Sequence, residues 1–219
     1  MFFVPPRWLQ ALTAGFLVWR LPGGEKIMFL TFDDGPTPGI TEKVMEVLEH
    51  YNARATFFLL GNNAVAYPRL VEAILAGGHS IGNHGWEHCS GWKTSTRNYL
   101  ANAQKAAPFT SFSLFRPPYG RIWPWQARAL RKRGFQVVMW SVLGHDYEEI
   151  TDREVVLQKL ISLAGKGSIV LLHDSAKAAG NCLFLLEGLL KHFSALGYSF
   201  EALPVTQKPT PTGQASANY

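Results

Sequence analysis

IMFLTFDDGP, at residues 27–36, is the stretch of sequence that decides the fold. It begins with an apolar run of the length of a short strand, which predicts a strand that is buried on both faces. The run stops at Asp33, Asp34, Gly35 and Pro36, residue types that are typical of turns. The stretch therefore predicts a buried strand that ends in an acidic loop.

The alternation of strand and helix continues along the rest of the chain. Apolar runs predict seven strands, at 27–32, 55–60, 79–82, just before 116, and at 136–141, 168–172 and 198–203. Helical spacing predicts helices at 41–50, 64–76, 96–107, 124–133, 153–163 and 183–196. Such repeats require parallel strands with right-handed crossovers, in either a doubly wound open sheet or a closed barrel.

Composition bounds the class of protein and its partners. The chain has 219 residues, of which 47% are hydrophobic and 17% charged, as expected for one folded domain. Lys plus Arg exceed Asp plus Glu by 21 to 16, and this small surplus predicts no nucleic-acid partner. Cys89 and Cys182 lack the spacing of a zinc knuckle or redox pair. The oligomeric state is left open.

The two ends of the chain differ from the part between them. Residues 1–25 are interpreted as a docked N-terminal segment, 26–203 as one folded domain and 204–219 as a disordered tail. The apolar run between Arg7 and Arg20 is too short to span a bilayer, so no transmembrane segment is expected. A cleavable signal peptide has its charge before the apolar stretch and small residues at the cleavage site, and the run lacks this arrangement. A cytoplasmic location is therefore favoured, with the cell envelope as the alternative.

Polar side chains follow the predicted strands at the points where they end. Because parallel strands direct their carboxyl ends to one face, where ligands bind in both architectures, these side chains are expected to converge. They are Asp33 and Asp34 after the first strand, His84 and His88 after the third, Arg116 after the fourth, Asp146 after the fifth, and His173 and Asp174 after the sixth.

His84 and His88 are the candidate metal ligands. Two imidazoles four residues apart can hold a divalent ion if a carboxylate completes the set, and Asp34 is the nearest candidate. Asp33 would then remain as a proton acceptor. Taken alone, the histidines could be ordinary hydrogen-bonded loop residues and the two acids an ordinary turn. The occurrence of both at neighbouring strand ends favours the metal site.

Two further strand ends carry candidate catalytic groups. Pro117 and Pro118 stiffen the segment after Arg116 and could aim the Tyr119 N–H at an oxyanion, although a rigid surface loop with Arg116 in a salt bridge is the alternative. His173 lies where a buried strand emerges and could act as a general acid, or could be a hydrogen-bonded core histidine.

Taken together, these residues resemble the polysaccharide deacetylases, also called the NodB-like family or carbohydrate esterase family four. The resemblance runs from about residue 26 to 203. It is carried by five motifs, namely Thr31-Phe32-Asp33-Asp34-Gly35, His84-Gly85-Trp86-Glu87-His88, Arg116-Pro117-Pro118-Tyr119, the stretch from Trp140 to Asp146 and Tyr147, and Leu171-Leu172-His173-Asp174. Gly85 departs from a hydroxyl residue that normally braces the metal loop, and Tyr147 stands where Trp is common.

The resemblance implies a distorted barrel of about seven parallel strands and a role for each matched residue. Asp33 is the implied catalytic base, Arg116 orients it, His173 is the general acid and Asp146 tunes it. Asp34, His84 and His88 would bind one divalent metal ion, with zinc expected and cobalt, nickel or manganese as alternatives. Substrate contacts and the oxyanion donor would come from Tyr119, Leu171 and Trp140.

The implied activity is removal of acetyl groups from the N-acetylated amino sugars of a carbohydrate. Aromatic side chains in or near the strand-end loops suit sugar rings, among them Trp86, Trp92, Trp123, Trp125 and Tyr147. Two alternatives stay open. One is a sugar-binding protein of the same fold that has lost catalysis, and the other is a deacetylase that acts on O-acetyl groups or a small amide.

Overall fold

The computed structural model describes residues 3–22, 24–111 and 113–204. The disordered tail expected at 204–219 lies, apart from residue 204, outside the described residues. Within these described residues there are eight strands: β1 Ile27–Asp33, β2 Ala55–Leu59, β3 Ser80–Asn83, β4 Leu114–Phe115, β5 Gln136–Val137, β6 Val142–Leu143, β7 Ile169–His173 and β8 Ser199–Phe200. The helices are α1 Arg7–Thr13, α2 Thr41–His50, α3 Gly61–Ala66, α4 Pro68–Ala76, α5 Thr96–Ala106, α6 Pro124–Lys132, α7 Arg153–Leu163 and α8 Ala179–Ala195.

Seven of the strands form one parallel sheet in the order β5-β4-β3-β2-β1-β7-β6. β1 lies in the interior of the sheet, where its last residues pair with β2 on one side and with β7 on the other. The two edge strands, β5 and β6, are joined by only four residues, so the sheet has to curl towards closure. The predicted distorted barrel is confirmed, and the open doubly wound sheet is not what forms.

Two of the predicted strands were wrong in detail. The strand expected at 136–141 ends already at Val137 as β5, which pairs with β4, and a separate strand, β6, follows at Val142–Leu143 and pairs with β7 at the opposite edge of the sheet. The strand expected at 198–203 shortens to β8, which pairs only with the first residues of β1 and is not one of the seven. The number of strands in the sheet is still seven, because β6 was not predicted and β8 is not one of the seven.

The helices follow the prediction more closely. α2 and α7 have the expected bounds, whereas the helix expected at 64–76 is broken at Tyr67 into α3 and α4. Pro68 causes the break, because a proline disfavours helical backbone in the residue before it. α8 begins at Ala179, four residues before the predicted start, and α1 was not predicted. No helix in the described part of the chain is long and apolar enough to cross a membrane.

The N-terminal segment pairs with the backbone just after β5 and just before β7. Val18 forms a parallel bridge with Val138, and Arg20 an antiparallel bridge with Ser168. The Val18 N–H donates to the carbonyl of Val137 at 2.9 Å, and the Leu21 N–H donates to that of Gly167 at 3.0 Å. The segment therefore fills the gap where β5 and β7 are not paired directly.

The main core lies between β1 and the helices on the outer side of the sheet. Every residue of β1 after Ile27 is buried, as expected for a central strand of a parallel sheet. Leu185, Leu186 and Leu189 of α8 pack into the same cluster. Because the strands are held from both sides, the residues at their carboxyl ends have fixed positions.

Candidate active site

The strand ends converge on one cavity of about 380 Å³. The predicted convergence of polar residues is therefore found. The cavity is lined by Asp33, Asp34, His84, His88, Tyr119, Gly120, Arg121, Trp140, Leu143, Tyr147, Leu171, His173 and Lys177.

Asp34, His84 and His88 form a cluster that can hold a metal ion. One ligand atom from each of the three residues lies within 4.8 Å of the others. Asp34 Oδ1 is 3.6 Å from His84 Nε2 and 3.4 Å from His88 Nε2. Two imidazole nitrogens and one carboxylate oxygen are a donor set typical of catalytic zinc sites.

Asp34 is aimed by an unusual backbone conformation. Its φ is 78°, in the left-handed region that Asp tolerates better than most residues. Asn63 fixes the turn, because its Nδ2 donates to the Asp34 carbonyl at 2.9 Å. Asp34 Oδ1 is buried and has no hydrogen-bond partner among the described residues. A buried carboxylate oxygen without a donor is what a cation site requires, so the residues fit the implied metal.

His84 is held as a neutral ligand. Its Nδ1 lies 2.8 Å from the carbonyl oxygen of Arg116, which can only accept, so Nδ1 carries the proton and Nε2 offers its lone pair. Burial lowers the pKa of His84 to about 3, although the charge of Asp34 opposes the shift. Burial also lowers the pKa of His88. Both imidazoles are therefore neutral at physiological pH, as metal ligation requires.

The loop between the two histidines is braced by two asparagines. The Gly85 N–H donates to Asn83 Oδ1, and the Trp86 N–H to Asn102 Oδ1, each at 2.8 Å. Gly85 has φ 86°, and a Cβ there would lie 2.5 Å from Asn102 Oδ1. The amide of Asn102 thus occupies the space that a side chain at 85 would need. In place of the hydroxyl residue that is usual at 85, the structure has this different brace.

Asp33 and Arg116 form a buried ion pair beside the metal cluster. Arg116 Nη1 donates to Asp33 Oδ1 at 2.8 Å and also to Thr31 Oγ1 at 2.8 Å. Arg116 Nη2 donates to the Met139 carbonyl at 2.9 Å. Arg116 is in a salt bridge, as in the structural alternative, but it is buried and has no exposed surface. With Oδ1 held, the other oxygen of Asp33 lies 3.7 Å from His84 Nε2, at the metal cluster.

Tyr119 follows the two prolines in a strained turn. Its φ is 59°, and that of Gly120 is 64°. A Cβ at Gly120 would lie 2.6 Å from the Trp140 ring, so only glycine fits there. The Tyr119 ring stands edge-on to His88, with centroids 4.2 Å apart. Tyr119, Trp140 and Leu171 all line the cavity, and the oxyanion role of the Tyr119 N–H stays a prediction.

His173 and Asp146 form a second hydrogen-bonded pair on the β7 side of the cavity. His173 Nδ1 lies 2.8 Å from Asp146 Oδ1, and the His173 backbone N–H donates to Asp146 Oδ2 at 2.6 Å. Burial lowers the pKa of His173, but Asp146, together with Asp33 and Asp34, raises it to about 9. Tyr147 packs edge-on to the ring at 4.9 Å. His173 is therefore protonated at neutral pH and can donate a proton.

Asp174 packs against Gly35 in the acidic loop that follows β1. Its Oδ2 accepts a 2.6 Å hydrogen bond from Thr41 Oγ1, and a Cβ at Gly35 would lie 2.2 Å from the same oxygen. Burial raises the pKa of Asp174 to about 8, so its carboxyl group is protonated at neutral pH. Asp174, Asn83 and Asn102 were assigned no role from the sequence. The glycines at 35 and 85, which leave room for these side chains, were the only signal.

A parallel α/β barrel with two neutral imidazoles, a carboxylate and a separate acid–base pair at its strand ends defines a metal-dependent hydrolase. The polysaccharide deacetylase family model matches residues 20–138. The chain belongs to this family. The resemblance identified from the five motifs is confirmed.

Relatives of the chain carry deacetylase names. It is 33% identical over 193 residues to a peptidoglycan-N-acetylglucosamine deacetylase of Bacillus cereus, covering 85% of this chain and 90% of the relative. It is 34% identical to a chitooligosaccharide deacetylase of Azorhizobium caulinodans, covering 71% and 77% of the two chains. A crystal structure of the Bc1960 peptidoglycan N-acetylglucosamine deacetylase superposes with a TM-score of 0.81 and 27% identity, covering 91% of this chain and 95% of the other.

Proposed function

We propose that this protein hydrolyses the acetamide of N-acetylated amino sugars in a glycan, with zinc as its metal. The observation that carries the proposal is one cavity whose lining includes the metal cluster, Asp33 beside that cluster, and His173. Hydrolysis of an amide needs a base for the attacking water and an acid for the leaving amine. The cavity has one of each.

The ligand set supports zinc as the metal. Asp34, His84 and His88 would hold the ion, and three protein ligands leave room for a water, as in other catalytic zinc sites. A cation bound there would polarise the acetamide carbonyl and lower the pKa of a water molecule. Two nitrogen donors favour zinc, cobalt or nickel over magnesium and calcium, which prefer oxygen ligands only.

The remaining residues move the protons. Asp33, with Oδ1 tied to Arg116, accepts a proton from the attacking water. His173, held by Asp146, donates its proton to the amide nitrogen as the carbon–nitrogen bond breaks. The acetyl carbon gains the water oxygen, so the products are acetate and a free amine. The Tyr119 N–H is proposed as the oxyanion donor, and Leu171 and Trp140 as walls for the acetyl group.

Acetate release is the test of this reaction. We expect metal-loaded protein to release acetate from N-acetylglucosamine oligomers, and Asp33→Asn to lower turnover at least about a thousandfold. Asp152→Asn is the matched control, because Asp152 is an exposed helix cap outside the cavity and asparagine caps equally well. Release from O-acetylated sugars alone would favour an O-deacetylase. No release from any acetylated substrate would favour the sugar-binding alternative.

Metal reconstitution tests the choice of zinc. Protein stripped with a chelator and reloaded separately with zinc, cobalt, nickel or manganese should bind zinc more tightly than manganese. Competition with a coloured zinc indicator measures the affinity directly. Tighter binding of manganese would contradict the assignment while leaving the reaction itself in place.

A further inference from the structure

Charge is distributed unevenly along the chain. Residues 1–24 and 88–145 contain eleven of the 21 Lys and Arg residues and none of the 16 Asp and Glu residues. The rest of the chain therefore holds ten Lys and Arg residues and all 16 acids. If the two acid-free segments lie together in the fold, they give one side of the molecule a positive potential.

The two acid-free segments do pack together. Leu17 of the first segment lies in the same buried cluster as Leu130 of α6, which belongs to the second. Leu9 of α1 packs against this cluster. Arg131 of α6 donates through Nη1 to the carbonyl of Gly15, just after α1. α1 and α6 are therefore neighbours, and neither segment contributes an acidic side chain to the surface between them.

Four exposed basic side chains belong to α6 and the residue after it, namely Arg128, Arg131, Lys132 and Arg133. Within the part of the chain that the structure describes, none of the four forms an ion pair with a carboxylate. Arg131, Lys132 and Arg133 line a cavity of about 650 Å³. Cations without an acidic partner around a cavity suit an anionic group such as a phosphate.

α1 adds exposed apolar side chains beside these cations. Trp8 and Leu12 are 65% and 73% exposed. They are four residues apart and so lie on one face of the helix, while Leu9 packs inwards. Exposed apolar side chains that lie together mark a site of interaction. We call Trp8 and Leu12, together with the four basic residues of the α6 end, the basic face.

We propose that the basic face docks the protein on the surface of a bilayer that contains anionic lipids. The cations would lie against the lipid phosphates, and Trp8 and Leu12 would enter the boundary between headgroups and acyl chains. This apolar pair favours a bilayer over a nucleic acid, which offers phosphates but no apolar layer. The acid-rich remainder of the chain would be repelled by the same surface, which fixes the orientation of the docked protein.

Sedimentation with vesicles tests this docking on the wild-type protein, and it needs no glycan. The vesicles contain either equal parts of phosphatidylglycerol and phosphatidylcholine or phosphatidylcholine alone. We expect a partition coefficient at least about tenfold higher on the anionic vesicles at about 0.1 M salt. It should fall at least about fivefold at about 0.5 M salt, because salt screens the attraction. Equal binding to both kinds of vesicle, or binding to neither, would overturn the proposal.

A double variant tests the contribution of charge. Lys132→Gln with Arg133→Gln should lower the partition coefficient on anionic vesicles about twentyfold, at roughly fivefold for each basic residue at the surface. The matched control is Lys159→Gln with Lys191→Gln, which removes two exposed lysines from α7 and α8, outside the basic face. Equal losses in the two variants would show that net charge alone drives binding, which would overturn the basic face.

A second double variant tests the apolar contact. Trp8→Ala with Leu12→Ala should lower the partition coefficient about tenfold. Leu75→Ala with Leu196→Ala is the control, because these leucines are 50% and 49% exposed outside the basic face. The melting temperature of each variant, expected to stay within about 2 °C of the wild type, checks that it is folded.

A nucleic-acid arm completes the experiment. Binding of a duplex oligonucleotide should be weaker than binding to the anionic vesicles and should not change in Trp8→Ala with Leu12→Ala. Tighter binding of the oligonucleotide than of the vesicles would assign the basic face to a nucleic acid and overturn the proposal. Vesicle binding that is unchanged in Trp8→Ala with Leu12→Ala would also overturn it, since no apolar side chain would then enter the bilayer.

Discussion

His84 and His173 lie in the same cavity and differ in protonation, although their surroundings look alike. Each ring has its Nδ1 2.8 Å from an oxygen atom. For His84 the oxygen is the carbonyl of Arg116, and the pKa is lowered to about 3. For His173 it is the carboxylate of Asp146, and the pKa is raised to about 9. Burial lowers the pKa of both, so the difference comes mainly from the charge of the neighbouring groups.

The comparison shows how one residue type fills two roles at one site. A neutral partner at Nδ1 leaves His84 as an uncharged ligand, whereas an anionic partner makes His173 a cation that can give up a proton. The metal side and the acid side of the cavity can therefore be altered separately.

Breaking the metal side should have the largest effect. Asp34→Asn removes the ligand charge but keeps a residue type that tolerates the positive φ. We expect zinc affinity to fall at least about a hundredfold, since even changes behind the ligands cost ten- to a hundredfold. The readout is competition against a zinc indicator. Unchanged affinity, equal to that of Asp152→Asn, would show that Asp34 is not a ligand.

Breaking the acid side should have a smaller and pH-dependent effect. Asp146→Asn removes the negative charge that raises the pKa of His173, so His173 should lose its proton at lower pH. Because the acid is active when protonated, rates fall as pH rises through its pKa. We expect the alkaline limb of the kcat/KM profile to move down by about one unit or more. A bound cation would offset the contributions of Asp33 and Asp34, placing the wild-type limb below pH 9.

The asparagine brace offers a finer test of the metal side. Asn102→Ala removes the acceptor for the Trp86 N–H while leaving every ligand in place. Zinc affinity should fall about tenfold, the lower end of what such supporting contacts contribute. Asn98→Ala, an exposed position on the same helix, is the matched control. Equal zinc affinities of the two variants would contradict a bracing role for Asn102.

Asp174 adds a third titratable group to the comparison, and its effect should be on stability. The pKa of Asp174 is about 8 when folded, against 3.8 for an ordinary Asp. The stabilisation from its protonated form is complete below the unfolded value and is lost as pH rises through the folded value. Asp174→Asn should therefore raise Tm at pH 9 by about 4 °C or more relative to the wild type. At pH 4 the two proteins should melt within about 1 °C of each other.

The sequence was sufficient for the residues at the strand ends. Asp33, Asp34 and His173 come directly after apolar runs in the sequence. The parallel arrangement of strands brings such positions to one face, whether the sheet is open or closes into a barrel. His84 and His88 were found by their spacing. In each of these cases the signal lies in a short stretch of sequence, and the parallel topology alone brings the distant stretches together.

The strand at 136–141 shows why the rest could not be predicted. Its residues read as one apolar strand, but Arg116 takes the Met139 carbonyl and also approaches that of Val138. A side chain 22 and 23 residues away thus interrupts the run of strand partners. Asn102 escaped prediction for the same reason, since it acts on a loop from a separate helix and belongs to no motif.

The pairing of the N-terminal segment has a consequence for how the chain folds. Val18 and Leu21 find their backbone partners near Val138 and Gly167, across most of the chain. Contacts so distant in sequence form late, because the intervening loop must close first. The N-terminal segment thus docks among the last parts of the domain. A nascent chain that stalls before residue 138 would expose two unpaired sheet edges, which are sites of aggregation.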